Sequence, residues 1–153
     1  ELLKKKSMNC DIKQDFSQRI MMIKKLFKFI AYFEDEHAEF YKWVSNKDSD
    51  FPMRYPVYDE KLLDFVQTVS ESGILRTDYL SFLNEKVGSL EHPLEVIKET
   101  NDLEILIAML TYFIRQERFY EGLWAKAVDE RIFLQILLKL RDLESQVNEQ
   151  YLE

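Results

Sequence analysis

The chain has 153 residues, enough for one domain that buries a core without disulfides or a structural metal. Hydrophobic residues make up 46% and charged residues 32%, which excludes a disordered chain, and no apolar run reaches the roughly 18 residues of a membrane-spanning helix. The net charge of −7 argues against non-specific binding to nucleic acid or an anionic membrane, and three Gly with three Pro are few turn residues for an all-β domain.

The single cysteine, Cys10, permits no internal disulfide and fits a reducing compartment. The lysines at 4–6 have no apolar stretch behind them, so they do not read as a secretory signal, and the expected location is cytoplasmic. Residues 1–15 carry little apolar periodicity and are expected to be a mobile N-terminal lead, leaving 16–150 as a single helical domain. From Phe16 the apolar positions Ile20, Ile23, Phe27, Ile30 and Phe33 follow in steps of three and four, which predicts one helix. Phe40 and Trp43, three apart, suggest a second short helix over Glu36 to Trp43.

Residues 45–57, with two prolines and a cluster of Ser, Asn and Asp, read as a long aromatic-rich loop. Asp59 can cap a helix carrying Leu62, Leu63, Val66 and Val69, ended by Gly73 in a left-handed conformation. Thr77 or Asp78 can start a short helix through Leu80 and Leu83, stopped by Gly88, and Pro93 suits the first turn of a piece over Pro93–Lys98. Asn101 and Glu104 have the spacing of a capping box before the most apolar segment, Leu103–Ile114, which predicts a helix over Asp102–Tyr120 terminated by Gly122. A last helix starts near Asp129 and carries Phe133, Ile136, Leu137, Leu140 and Leu143, with a polar tail expected to fray. A helix apolar on most of its sides belongs in the centre of its neighbours. The expected fold is therefore all-α, an irregular helical bundle around a buried central helix.

Catalytic and metal motifs are sparse. Glu34 and His37 share the spacing of a di-iron ligand pair, but the other histidine, His92, precedes Pro93 in a loop and lacks a matching partner. No nucleophile elbow or Gly-rich phosphate loop occurs. No metal, cofactor or catalytic residue is assigned. Tyr55-Pro56-Val57-Tyr58 belongs to an aromatic-dense region, with Phe40, Tyr41, Trp43 and Phe51, that either pins the loop to the core or lines a cleft.

The stretch Arg115 to Trp124 is the most informative. At about 100° per residue Glu117 falls in the arc of Leu106, Leu110 and Phe113, where a carboxylate must be paired, hydrogen-bonded or neutral. Arg115 and Arg118 fall instead on the opposite stripe with Glu104, Ala108 and Thr111, small enough for a cleft or a close neighbour. The partner of Glu117 should then come from elsewhere: Arg54, Tyr55, Tyr58 or the indole N–H of Trp124. One reading is a set of structural ion pairs. The other is a small polar site in which arginine recognises an anion and Trp124 forms a wall.

Arg115-x-Glu-Arg-Phe-x-x-Gly-x-Trp124 resembles the C-terminal signature of a small family of uncharacterised bacterial and phage proteins, a domain of unknown function. Phe33 to Trp43, Tyr55 to Tyr58 and Leu75 to Leu83 are similar to it as well, so the resemblance spans roughly residues 22–143. It implies one compact domain and marks Arg115, Glu117, Arg118, Gly122 and Trp124, without a role for any of them.

The candidate ligand-binding residues are Arg115, Glu117, Arg118, Trp124, Tyr55 and Tyr58. The leading expectation is a small cytosolic binding or regulatory protein that recognises an anionic small molecule or a protein partner. One alternative is an enzyme acting on a nucleotide-like or phosphorylated substrate with Glu117 as acid or base and Arg115 or Arg118 as charge stabiliser. Another is a phage- or plasmid-borne inhibitor of a host factor.

Overall fold

The computed structural model describes residues 17–46, 50 and 53–151, and the expected mobile lead at 1–15 lies outside them, as does Phe51. The described fold is predominantly helical. Residues 17–24 form α1. A 3-10 turn at Phe27–Phe29 and a short α2, Ile30–Glu34, follow. The single helix expected here is therefore broken. The backbone N–H groups of Leu26 and Phe29 reach back three residues, to Ile23 and Leu26. Three-residue turns stack positions i and i+3, so Ile23, Leu26 and Phe29 all face inward, where a continuous α-helix would rotate them apart.

The second helix and the long loop are replaced by a β-hairpin. β1, Tyr41–Ser45, pairs antiparallel with β2, Arg54–Tyr58, from Tyr41 opposite Tyr58 to Ser45 opposite Arg54. Phe40 and Trp43 are three apart, but Phe40, Tyr41, Trp43 and Val44 are the aromatic and β-branched types that suit strands. Pro56 is tolerated for a geometric reason. The bonds from Asp59 N–H to the Phe40 carbonyl and from Asn46 N–H to the Met53 carbonyl fix which pairs exchange hydrogen bonds. Trp43 and Pro56 then form a non-bonded pair, so the missing N–H of Pro56 would have pointed off the sheet edge.

α3, Glu60–Glu71, buries Leu62, Phe65 and Val69, while Leu63 is exposed. The side chain of Asp59 does not cap α3; its carboxylate accepts from Tyr32 Oη at 2.6 Å. Gly73 takes φ +78°, the left-handed value expected of a helix stop. α4, Tyr79–Lys86, and α5, Pro93–Glu99, follow, the latter with Pro93 in its first turn. α6, Leu103–Arg115, is capped by Asp102, whose carboxylate accepts from Glu104 N–H at 2.9 Å. It ends five residues earlier than expected and passes into a 3-10 turn, Gln116–Arg118. An additional helix, α7, covers Leu123–Asp129, and α8 runs from Ile132 to Tyr151 through the tail expected to fray.

α6 is the central helix. Leu106 through Thr111 are all buried, and α3, α4, α7 and α8 pack around it. The stripe of small residues is closed by a neighbour: Ala108 and Thr111 have no exposed surface, and Thr111 Oγ1 accepts from Arg76 N–H at 3.2 Å. Phe29, Phe33, Phe65 and Phe133 form a cluster with centroids 4.9–5.9 Å apart, in which Phe65 meets the other three edge to face. No described helix is long and apolar enough to cross a membrane.

Candidate functional site

The hairpin is fastened to the helices by tyrosine–carboxylate bonds at both of its strands. Tyr41 of β1 donates to Asp129 Oδ2 at 2.5 Å, at the end of α7. Tyr58 of β2 donates to Glu117 Oε1. Glu117 also accepts from Gly122 N–H at 2.9 Å on Oε1 and from Trp124 N–H at 3.0 Å on Oε2. A half-buried carboxylate is thus supplied by three neutral donors rather than by a cation, which is one way a polar group survives in a core arc. Burial, the bond to Glu117 and its charge together push the Tyr58 hydroxyl well above its ordinary range.

Trp124 closes the same junction. Its indole N–H donates to the carbonyls of Phe113 at 2.9 Å and Ile114 at 3.2 Å, in the last turn of α6, where carbonyls lack helical partners. Its ring lies 5.1 Å from that of Tyr58. Gly122 precedes α7 at φ +94°, and a Cβ there would stand 3.0 Å from the Trp43 ring. Glycine answers both needs at once: the left-handed backbone and the close approach of the hairpin.

Of the four partners foreseen for Glu117, Tyr58 is the one that bonds to it by its side chain. Trp124 contributes its backbone N–H, its indole being committed to α6. Arg54 lies over the Trp43 ring at 6.0 Å. Tyr55 sits on the opposite face of the hairpin from Tyr58, paired with Val44, and does not join the site.

Arg115, Glu117, Arg118 and Trp124 line one open depression of about 430 Å³ with Ile114. The hydrogen bonds of the Glu117 carboxylate nevertheless come from Tyr58, Gly122 and Trp124 and not from the arginines, as their separate stripes led one to expect. Arg115 closes α6 and Arg118 closes the 3-10 turn that follows it, and both are exposed. Neither guanidinium forms an ion pair among the described residues. Arg118 rests over the Phe119 ring at 4.8 Å. Two other depressions, of about 550 Å³ and 450 Å³, mix charges of both signs: Asp35, Glu39 and Asp59 with Lys42 and Lys61 in one, Glu130 and Asp142 with Lys98, Arg131 and Lys139 in the other. Among the described residues, no group of three or more His, Cys, Asp or Glu is arranged to hold a metal.

Three features escaped the sequence reading. Gln116 is buried and donates to Tyr79 Oη at 2.7 Å, anchoring the 3-10 turn to α4. Phe119 and Tyr120 are 63% and 61% exposed, beside the arginines. Glu104 accepts from both Arg19 and Arg76 at 2.6 Å, while Arg76 also forks onto Asp78. The bond from Arg19, with that from Arg76, holds the Glu104 carboxyl below its ordinary range. Helical phase alone could not have found that network, because Arg19 and Arg76 come from other segments.

Searches of curated proteins and of solved structures returned no match. A family model matches residues 20–146, which takes in α6, the hairpin and the whole Arg115–Trp124 segment, and the chain therefore belongs to DUF6508, a family of unknown function.

Proposed function

We propose that the protein is a small cytoplasmic binding protein and that the depression at Arg115 and Arg118 recognises an anionic group. The observation that carries this reading is a charge imbalance. In a chain of net charge −7, two arginines stand together without a carboxylate partner among the described residues. The carboxylate between them, Glu117, already accepts three hydrogen bonds. The planar guanidinium fork suits carboxylate or phosphate oxygens. The same geometry weighs against Glu117 as an acid or base, since a proton-transferring carboxylate needs an oxygen free to meet the substrate.

The test is calorimetric titration of the full chain with inorganic pyrophosphate and with citrate. Binding should weaken about tenfold or more when Arg115 or Arg118 is replaced by Gln. Absence of binding to any small polyanion and to any acidic peptide, or binding indifferent to both substitutions, would remove the reading.

A further inference from the structure

We infer that the anion carried to this site is part of a protein: the Arg115–Trp124 surface docks an acidic segment of a partner whose carboxylates meet Arg115 and Arg118 while an apolar side chain beside them packs on Phe119 and Tyr120. This rests on the anion-recognition reading above and names its ligand.

Three observations favour a protein segment over a free small anion. The depression is open and lined by only five residues, with the polar oxygens of Glu117 already committed. A small-ligand site normally encloses most of its ligand within converging polar groups. A surface that reads a longer chain needs no such enclosure. Second, Phe119 and Tyr120 are among the most exposed large apolar side chains described, and they adjoin the two arginines directly in sequence. Trp43, 43% exposed, stands against Gly122, the residue that precedes α7. Arginine with tyrosine and tryptophan is the composition that dominates protein-binding hot spots.

Third, the turn that presents the rings is held from within. The N–H groups of Phe119 and Tyr120 donate to the Gln116 carbonyl at 3.0 Å and 2.9 Å, and Leu123 N–H donates to the Tyr120 carbonyl at 3.0 Å. The Gln116 side chain is tied to Tyr79, and Glu117 spans the turn to Gly122 and Trp124. Rings displayed on a backbone already fixed lose little further freedom when they are covered. The acidic character of the partner follows from charge complementarity. Carboxylates would be drawn to the two guanidinium groups, which have no ion-pair partner among the described residues, and a basic segment would be repelled from the same place.

The experiment uses the full chain against an array of short immobilised peptides in which carboxylate content and apolar content vary independently, together with the pyrophosphate titration. Binding is expected only where Glu or Asp residues adjoin a Leu or Phe. The double substitution Phe119→Ser with Tyr120→Ser should weaken that binding about tenfold or more and leave the melting temperature unchanged; because Arg118 rests over Phe119, pyrophosphate binding is followed in Tyr120→Ser alone, where it should be unchanged. Arg118→Glu should abolish both forms of binding. Peptide binding that follows acidity alone, or that survives the double substitution, would overturn the partner assignment while leaving the anion site standing. The same holds if pyrophosphate binds and no peptide does. Failure of every peptide and of pyrophosphate would overturn both.

Discussion

Tyr58 and Glu117 meet across 59 residues of chain, the phenol of strand β2 donating to the carboxylate that follows α6. The contact does more than close one hydrogen bond. Through its remaining donors, the N–H groups of Gly122 and Trp124, Glu117 also fixes the start of α7. The hairpin, the end of the central helix and the next helix thus share one side chain.

Removing that side chain should therefore be costly. Glu117→Ala strands two backbone donors and a phenol at once and is expected to lower stability by about 2–5 kcal/mol. Tyr58→Phe removes one donor and leaves the other two bonds in place, so a loss of about 1–2 kcal/mol is expected. A double-mutant cycle by urea denaturation should show coupling between the two positions of roughly 0.5–3 kcal/mol. Strict additivity would mean the hydroxyl and carboxylate contribute independently, and the junction would have to be held by packing alone.

Stability should also fall in alkali for an identifiable reason. Tyr58 and Tyr32 each donate to a carboxylate, and their hydroxyls are raised above the ordinary tyrosine value, with burial the largest cause for both. Unfolded chains lose these protons near pH 10, at roughly the ordinary value, while the folded protein keeps them. Above that pH the unfolded state binds fewer protons than the native state, so stability decreases as pH rises; below it the contribution is complete. Urea midpoints measured from about pH 8 to about pH 11 should decline more steeply for the wild type than for the Tyr32→Phe, Tyr58→Phe double variant. Parallel curves would show that neither tyrosine is responsible.

The central helix and the role of Glu117 were legible in the sequence because both depend on a period of 3.6 residues within one segment. Leu106, Leu110 and Phe113 are buried as the pattern requires, and Glu117 shares their arc and finds Tyr58. The hairpin was not legible. Its register is set by cross-strand pairs such as Trp43 with Pro56, which no local period reveals, and a proline in the strand argued against it. The end of α6 was not legible either, because a 3-10 turn departs from the helix by only one residue of register and the apolar period runs on through it.

Leu110 tests the centre of that helix. It has no exposed surface and lies in the run from Leu106 to Thr111 that is buried throughout. Leu110→Ala should cost about 2–5 kcal/mol, the sum of lost transfer energy and an unfilled cavity. A loss near zero in chemical denaturation would place Leu110 at the surface and remove α6 from the middle of the bundle.

Gly122 separates two effects that usually arrive together. Its φ of +94° disfavours any L side chain, and its missing Cβ is where the Trp43 ring rests, 3.0 Å away. Gly122→Ala should therefore destabilise the protein by about 1–3 kcal/mol. The ring belongs to a side chain that is 43% exposed, so it has room to swing aside, whereas the backbone, tied through Gly122 N–H to Glu117, does not. Most of the loss should accordingly come from the backbone. If so, Gly122→Ala should cost nearly as much in a Trp43→Ala background as in the wild type. Recovery of most of the stability in that background, measured by thermal and urea unfolding, would instead assign the cost to the ring and show the hairpin pressed rigidly against the turn.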